Sequence, residues 1–63
     1  MINRRKFIAH LESYRCSLKR NGGNHDIYQN DLKPHLISSI PRHNQINPYT
    51  ADKICKDLEV PKF

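Results

Sequence analysis

The spacing of apolar residues changes period twice along the chain, and each change predicts a new element. Phe7, Ile8, Leu11 and Tyr14 recur at the spacing of a helix face, after an Asn3 suited to the N-cap position. A first helix is expected from Asn3 to about Ser13. From Tyr14 to Leu18 the period drops to two, with Tyr14, Cys16 and Leu18 on one side and Arg15, Ser17 and Lys19 on the other. That alternation predicts a half-buried strand. Asn21-Gly22-Gly23-Asn24 supplies residues that tolerate positive φ, the signature of a hairpin turn. His25 to Gln29 then reads as a second strand, with Ile27 and nominally His25 inward and Asp26 and Tyr28 facing away. Asn30-Asp31-Leu32-Lys33-Pro34 predicts a second turn, and His35 to Ile40 a third strand stopped by Pro41. After a polar connection, Asn47-Pro48 marks a helix start, since Asn caps and Pro is tolerated at the first helical position. Tyr49, Ala51, Ile54, Cys55 and Leu58 fall on one stripe, and Pro61 prevents continuation.

The predicted order is helix, three strands, helix. Two hairpins make the sheet antiparallel, and the helices can bury their stripes only against one of its faces, an α+β arrangement. With 63 residues and no internal repeat, one domain spanning 1–63 is expected. A chain of this size buries only about 60% of its unfolded surface, which argues against a deep closed substrate cavity.

Composition narrows the function classes. Cys16 and Cys55 lie far apart in sequence, outside any Cys-x-x-Cys pair or regular His spacing, so no zinc site is expected and both thiols read as small buried hydrophobes of a reducing compartment. The first ten residues are charged and lack the apolar run of a signal peptide, and Phe7-Ile8-Ala9 is far too short for a membrane span. The cytoplasm is the expected location. Net charge is +5, and residues 1–33 carry seven basic against three acidic side chains. Such a domain suits phosphate backbones through counterion release. Arg4, Arg5 and Lys6 stand in the first turn of the first helix, where cations oppose the helix dipole at about 0.3–1 kcal/mol each. Local stability does not explain them: contact with RNA or an acidic partner is the functional reading, and solvent screening that makes the cost tolerable is the bland one.

The chemistry gathers in one hairpin. Lys19-Arg20-Asn21-Gly22-Gly23-Asn24-His25 places two cations, exposed backbone amides and an imidazole together. An imidazole can accept or donate a proton near neutral pH. RNA cleavage needs such a group, because the ribose 2′-hydroxyl must lose a proton to attack phosphorus and the leaving 5′-oxygen must gain one. No metal or other cofactor is required by that route. A histidine after a glycine turn is by itself a weak signal, and a surface or hydrogen-bonded strand-end histidine is the bland alternative.

The sequence resembles the HicA-type toxins of prokaryotic toxin–antitoxin modules, small endoribonucleases also called mRNA interferases. The matching residues are Phe7 to Leu11, the Lys19-Arg20-x-x-Gly23-Asn24-His25-x-Ile27-Tyr28 hairpin, Ile40-Pro41-Arg42-His43, and Thr50 to Val60. The resemblance implies a fold similar to double-stranded-RNA-binding domains, α-β-β-β-α, with a three-stranded antiparallel sheet and two helices on one face. It implies that His25 is the catalytic histidine, that mRNA is the substrate, and that a HicB-type antitoxin protein covers the site. Asn24 stands where the family commonly has Ser, and its amide can replace the hydroxyl as a donor.

Around His25, the candidates for RNA or phosphate contact are Lys19, Arg20, Gly23, Asn24 and Tyr28, the last by stacking on a base or bonding phosphate; strand-edge salt bridges for the two cations and a cross-strand packing role for Tyr28 are the alternatives. His43, just past Pro41, is the second candidate for proton transfer, ahead of His35 and His10. The competing function is a non-catalytic RNA-binding module of the same fold. A helix-turn-helix DNA binder is excluded, since the apolar period between residues 14 and 40 is not helical.

Overall fold

The computed structural model describes residues 1–63. Asn3 caps the first helix, α1 (Arg4–Ser13), by accepting the Lys6 amide on its side chain at 3.0 Å. Strands β2 (Cys16–Asn21), β3 (His25–Asn30) and β4 (Lys33–Pro41) form an antiparallel sheet in that order. The second helix, α2 (Pro48–Leu58), starts where Asn47 accepts the Tyr49 amide at 2.8 Å with Pro48 at the first position. The fold is thus the α-β-β-β-α arrangement that the periods predict, with a small addition. A two-residue strand β1 (Ile2–Asn3) pairs with β5 (Gln45–Ile46), too short to leave a period in the sequence.

One cluster of ten buried residues joins the helices to the inner sheet face: Phe7 and Leu11 from α1, Cys16, Tyr28 and Ile40 from the sheet, Ile46, and Ala51, Ile54, Cys55 and Leu58 from α2. Both cysteines are unbridged and buried. No helix is long and apolar enough to cross a membrane.

The facing of β3 is the reverse of the expected one. Tyr28 is only 8% exposed and Asn30 5%, whereas Ile27 is half-buried and His25 exposed. Register agrees, since Tyr28 lies opposite Leu18 and Ser38, and Ile27 opposite Arg20 and Ser39. Ile27 is the strand's one aliphatic residue, yet it lies on the outer side. A Tyr ring buries more apolar area than an Ile side chain, and the polar inner positions are satisfied. The Asn30 amide donates to the Leu58 carbonyl at 2.8 Å and its oxygen accepts the Leu32 amide at 3.0 Å, tying the second turn to the end of α2.

Three further differences have local causes. Tyr14 and Arg15 end α1 rather than opening a strand: the Tyr14 amide bonds back to Leu11, and Arg15 adopts φ 67°, the left-handed conformation of a helix C-terminus. Tyr14 and Leu18 are consequently half-exposed, and Tyr49 is 85% exposed at the start of α2 instead of lying on its buried stripe. Pro34 falls inside β4 rather than in the preceding turn, which is tolerated because β4 is an edge strand with its register shifted there. Helix α2 ends at Glu59 in the left-handed region, before Pro61.

Candidate active site

The hairpin between β2 and β3 carries the candidate site. Its closing contact is the Gly22 amide donating to the His25 carbonyl at 2.8 Å, with Gly23 and Asn24 at the tip. No glycine here has positive φ, contrary to the reading of the turn as a positive-φ device. The tight position is Gly22, because an added Cβ would lie 2.6 Å from the His25 carbonyl oxygen. Gly23 has open space around it.

His25 is the first residue of β3, exposed, and paired in register with Pro41. It shares the face of Ile27 as expected, but that face points away from the helices, so the ring need not leave the strand to be reached. Of the four histidines, only His10 has a ring nitrogen bonded to another group of the chain, the Pro61 carbonyl at 2.7 Å. His10 also packs against Tyr14 and Phe63, which makes it a strap for the C-terminal tail. His43 is exposed two residues beyond Pro41, the register partner of His25. His35 is exposed further along β4.

A bulge decides which way the cations point. Leu18 pairs with Tyr28 and Arg20 with Ile27, so Lys19 is an extra residue in β2. Without it, alternation would turn Arg20 to the inner face. With it, Arg20 stands opposite Ile27 on the outer face, the face that His25 shares, and Lys19, Arg20 and Asn24 are all exposed. Tyr28 does not join them. Its ring lies in the core beneath the site and has no face free to stack on a base. Burial raises its phenol pKa, and the nearby Arg4 guanidinium partly offsets this.

Beneath the turn lies an ionic network of residues far apart in the chain. Asp26, with 15% of its side chain exposed, accepts Arg4 Nη2 at 3.1 Å on one oxygen and Arg42 Nε at 2.8 Å on the other. Arg4 Nε also donates to the Pro41 carbonyl at 2.7 Å, and Arg42 Nη2 to the Gly22 carbonyl at 2.7 Å. Tertiary pairing therefore accounts for Arg4, while Arg5 and Lys6 remain exposed along an open groove that Arg4, Glu12 and Asn44 also line. The signal available was an Asp next to the candidate histidine, but its partners lie 22 and 16 positions away. Nowhere do three or more His, Cys, Asp or Glu side chains gather as metal ligands.

Lys19, Arg20, Gly23, Asn24 and His25 are thus all exposed on one hairpin. Comparison with curated proteins and with solved structures gave no match. Comparison with family models matched residues 4–60 to the family described as HicA toxin of bacterial toxin–antitoxin. The match runs from the start of α1 past the end of α2, taking in the whole site, and on that coverage the chain belongs to the HicA family of toxins from toxin–antitoxin modules.

Proposed function

We propose that this toxin is a metal-independent endoribonuclease that cuts mRNA in the cytoplasm, arrests translation and growth, and is neutralised by a HicB-type antitoxin. The observation that carries this reading is an exposed imidazole without an intramolecular partner, set beside a glycine turn and two cations within the family match. In the reaction, a base takes the proton of the ribose 2′-hydroxyl and the 2′-oxygen bonds to phosphorus. The P–O5′ bond breaks, and an acid protonates the departing 5′-oxygen. The products are a 2′,3′-cyclic phosphate, or the monophosphate from its hydrolysis, and a 5′-hydroxyl.

His25 exchanges one of these protons, and His43 is the candidate for the other. Lys19, Arg20 and the backbone amides of Gly23 and Asn24 offset the charge that grows on the phosphorane. An antitoxin that covers the outer face of this hairpin would block substrate and imidazole together. The test is inducible expression of wild type and His25→Ala with mapping of RNA ends. Wild type should inhibit growth and leave 5′-hydroxyl ends, and His25→Ala should do neither while keeping RNA affinity. Equal inhibition by both, 5′-phosphate ends, or full dependence on a divalent metal would overturn the reading.

A further inference from the structure

We propose that Arg42 is a positioning residue for His25: it fixes the Gly22–Asp26 turn, and the imidazole with it, rather than gripping RNA. The catalytic part of this inference rests on the endoribonuclease reading above. Arg42 engages the turn at alternate residues. Nη2 donates to the Gly22 carbonyl at 2.7 Å, the backbone amide to the Asn24 carbonyl at 3.3 Å, and Nε to Asp26 Oδ1 at 2.8 Å. These contacts bracket Gly23 and His25 and touch neither, so the residues that would meet substrate stay free while their neighbours are held.

The turn needs such a clamp. Its closing pair includes the bond from the Gly22 amide to the His25 carbonyl, but no return bond to the Gly22 carbonyl, and Arg42 supplies that missing donor. Asp26 is the anchor on the other side of His25, and Arg4 ties the same carboxylate to the start of α1. A planar guanidinium suits this task because its donors diverge in fixed directions, one to a carbonyl and one to a carboxylate. A lysine ammonium offers a point charge without that span.

The test uses the full chain with Arg42→Gln and Arg42→Lys. Backbone ¹⁵N relaxation reads the order of residues 22–26, RNA cleavage gives kcat and KM, and RNA affinity is measured in a His25→Ala background so that nothing is cut. Arg42→Gln should loosen these five amides but not α1 or α2, and lower kcat by about 10- to 100-fold, the range for a slightly misplaced catalytic group. RNA affinity should change less than about twofold, since a group not bound to phosphate adds nothing to counterion release. Arg42→Lys should fall between Gln and wild type in both turn order and kcat. Loss of affinity with the turn still ordered would make Arg42 an RNA contact, and an ordered turn with unchanged kcat would remove it from the site; either overturns the proposal. Should Arg42→Gln not fold, Arg42→Lys carries the test alone, and a turn as ordered and a kcat as high as wild type's there overturn the proposal equally. If wild type cuts no RNA, the endoribonuclease reading falls, and the relaxation data still judge the clamp.

Discussion

The amide of Gly22 donates to the carbonyl of His25 at 2.8 Å, and a methyl group placed on Gly22 would sit 2.6 Å from that same oxygen. The turn that offers His25 to solvent closes only because position 22 has no side chain. Gly22→Ala should therefore open the turn, destabilise the protein by about 1–3 kcal/mol as overpacking does, and reduce RNA cleavage. Gly23→Ala is the control. With no atom within 4 Å and no positive φ to strain, it should be neutral or slightly stabilising. Denaturant midpoints of the two variants check this, and equal losses would show that the close approach at Gly22 is not what matters.

Asn30 joins the second turn to α2 from a buried position, with both halves of its amide used. Asn30→Ala leaves the Leu58 carbonyl and the Leu32 amide without their partners, and should lower stability by about 1–3 kcal/mol. Asn30→Asp should be destabilising as well, because a carboxylate has no hydrogen to give Leu58. Urea unfolding measures both, and a near-neutral Asp variant would contradict the assignment of the donor.

Asp57 is held below its ordinary value of 3.8, chiefly by the hydrogen bond from Lys53, with burial opposing and the Ser38 hydroxyl assisting. A lowered carboxyl contributes stability that is present above pH 3.8 and lost as pH falls through the folded-state value. The stability gap between wild type and Asp57→Asn should accordingly be widest above that pH and shrink below it. A gap that stays constant across a pH series of urea midpoints would mean that the carboxylate charge contributes nothing.

Cys16 and Cys55 both sit above the ordinary thiol value of 9.0, burial being the main cause in each. A raised thiol contributes stability below pH 9.0 that is lost as pH climbs through the folded value. The native protein should resist alkylation at neutral pH and react fully once unfolded. Rapid modification of the folded chain would contradict the buried placement.

Arg5 and Lys6 oppose the dipole of α1 and have no ion-pair partner within the chain, unlike Arg4. Replacing each with Ala should stabilise the protein by about 0.3–1 kcal/mol at low salt. If RNA runs along the groove beside them, each replacement should also weaken RNA binding and reduce its salt slope by about 0.7. Thermal unfolding and affinity across a salt series separate the two effects. An unchanged slope would take these cations out of the RNA path.

Short-range chemistry was legible in the sequence. The caps at Asn3 and Asn47, the helix stripes and the two turns each depend on residues a few positions apart, so their order could be read without coordinates. Strand facing could not, because β3 carries an Ile and a Tyr on opposite sides and alternation alone does not say which side the helices cover. The bulge at Lys19 compounds this: one extra residue turns Arg20 to the face of His25, and nothing within β2 signals it. Arg4, Asp26 and Arg42 are three scattered charges in the chain and one network in the fold. Local spacing thus specified the two helices, the three longer strands and a histidine after a glycine turn, but not the short β1–β5 pair. Tertiary structure alone decided that this histidine faces solvent and that two distant arginines brace it, because both outcomes depend on strand pairing and packing between residues far apart in the chain.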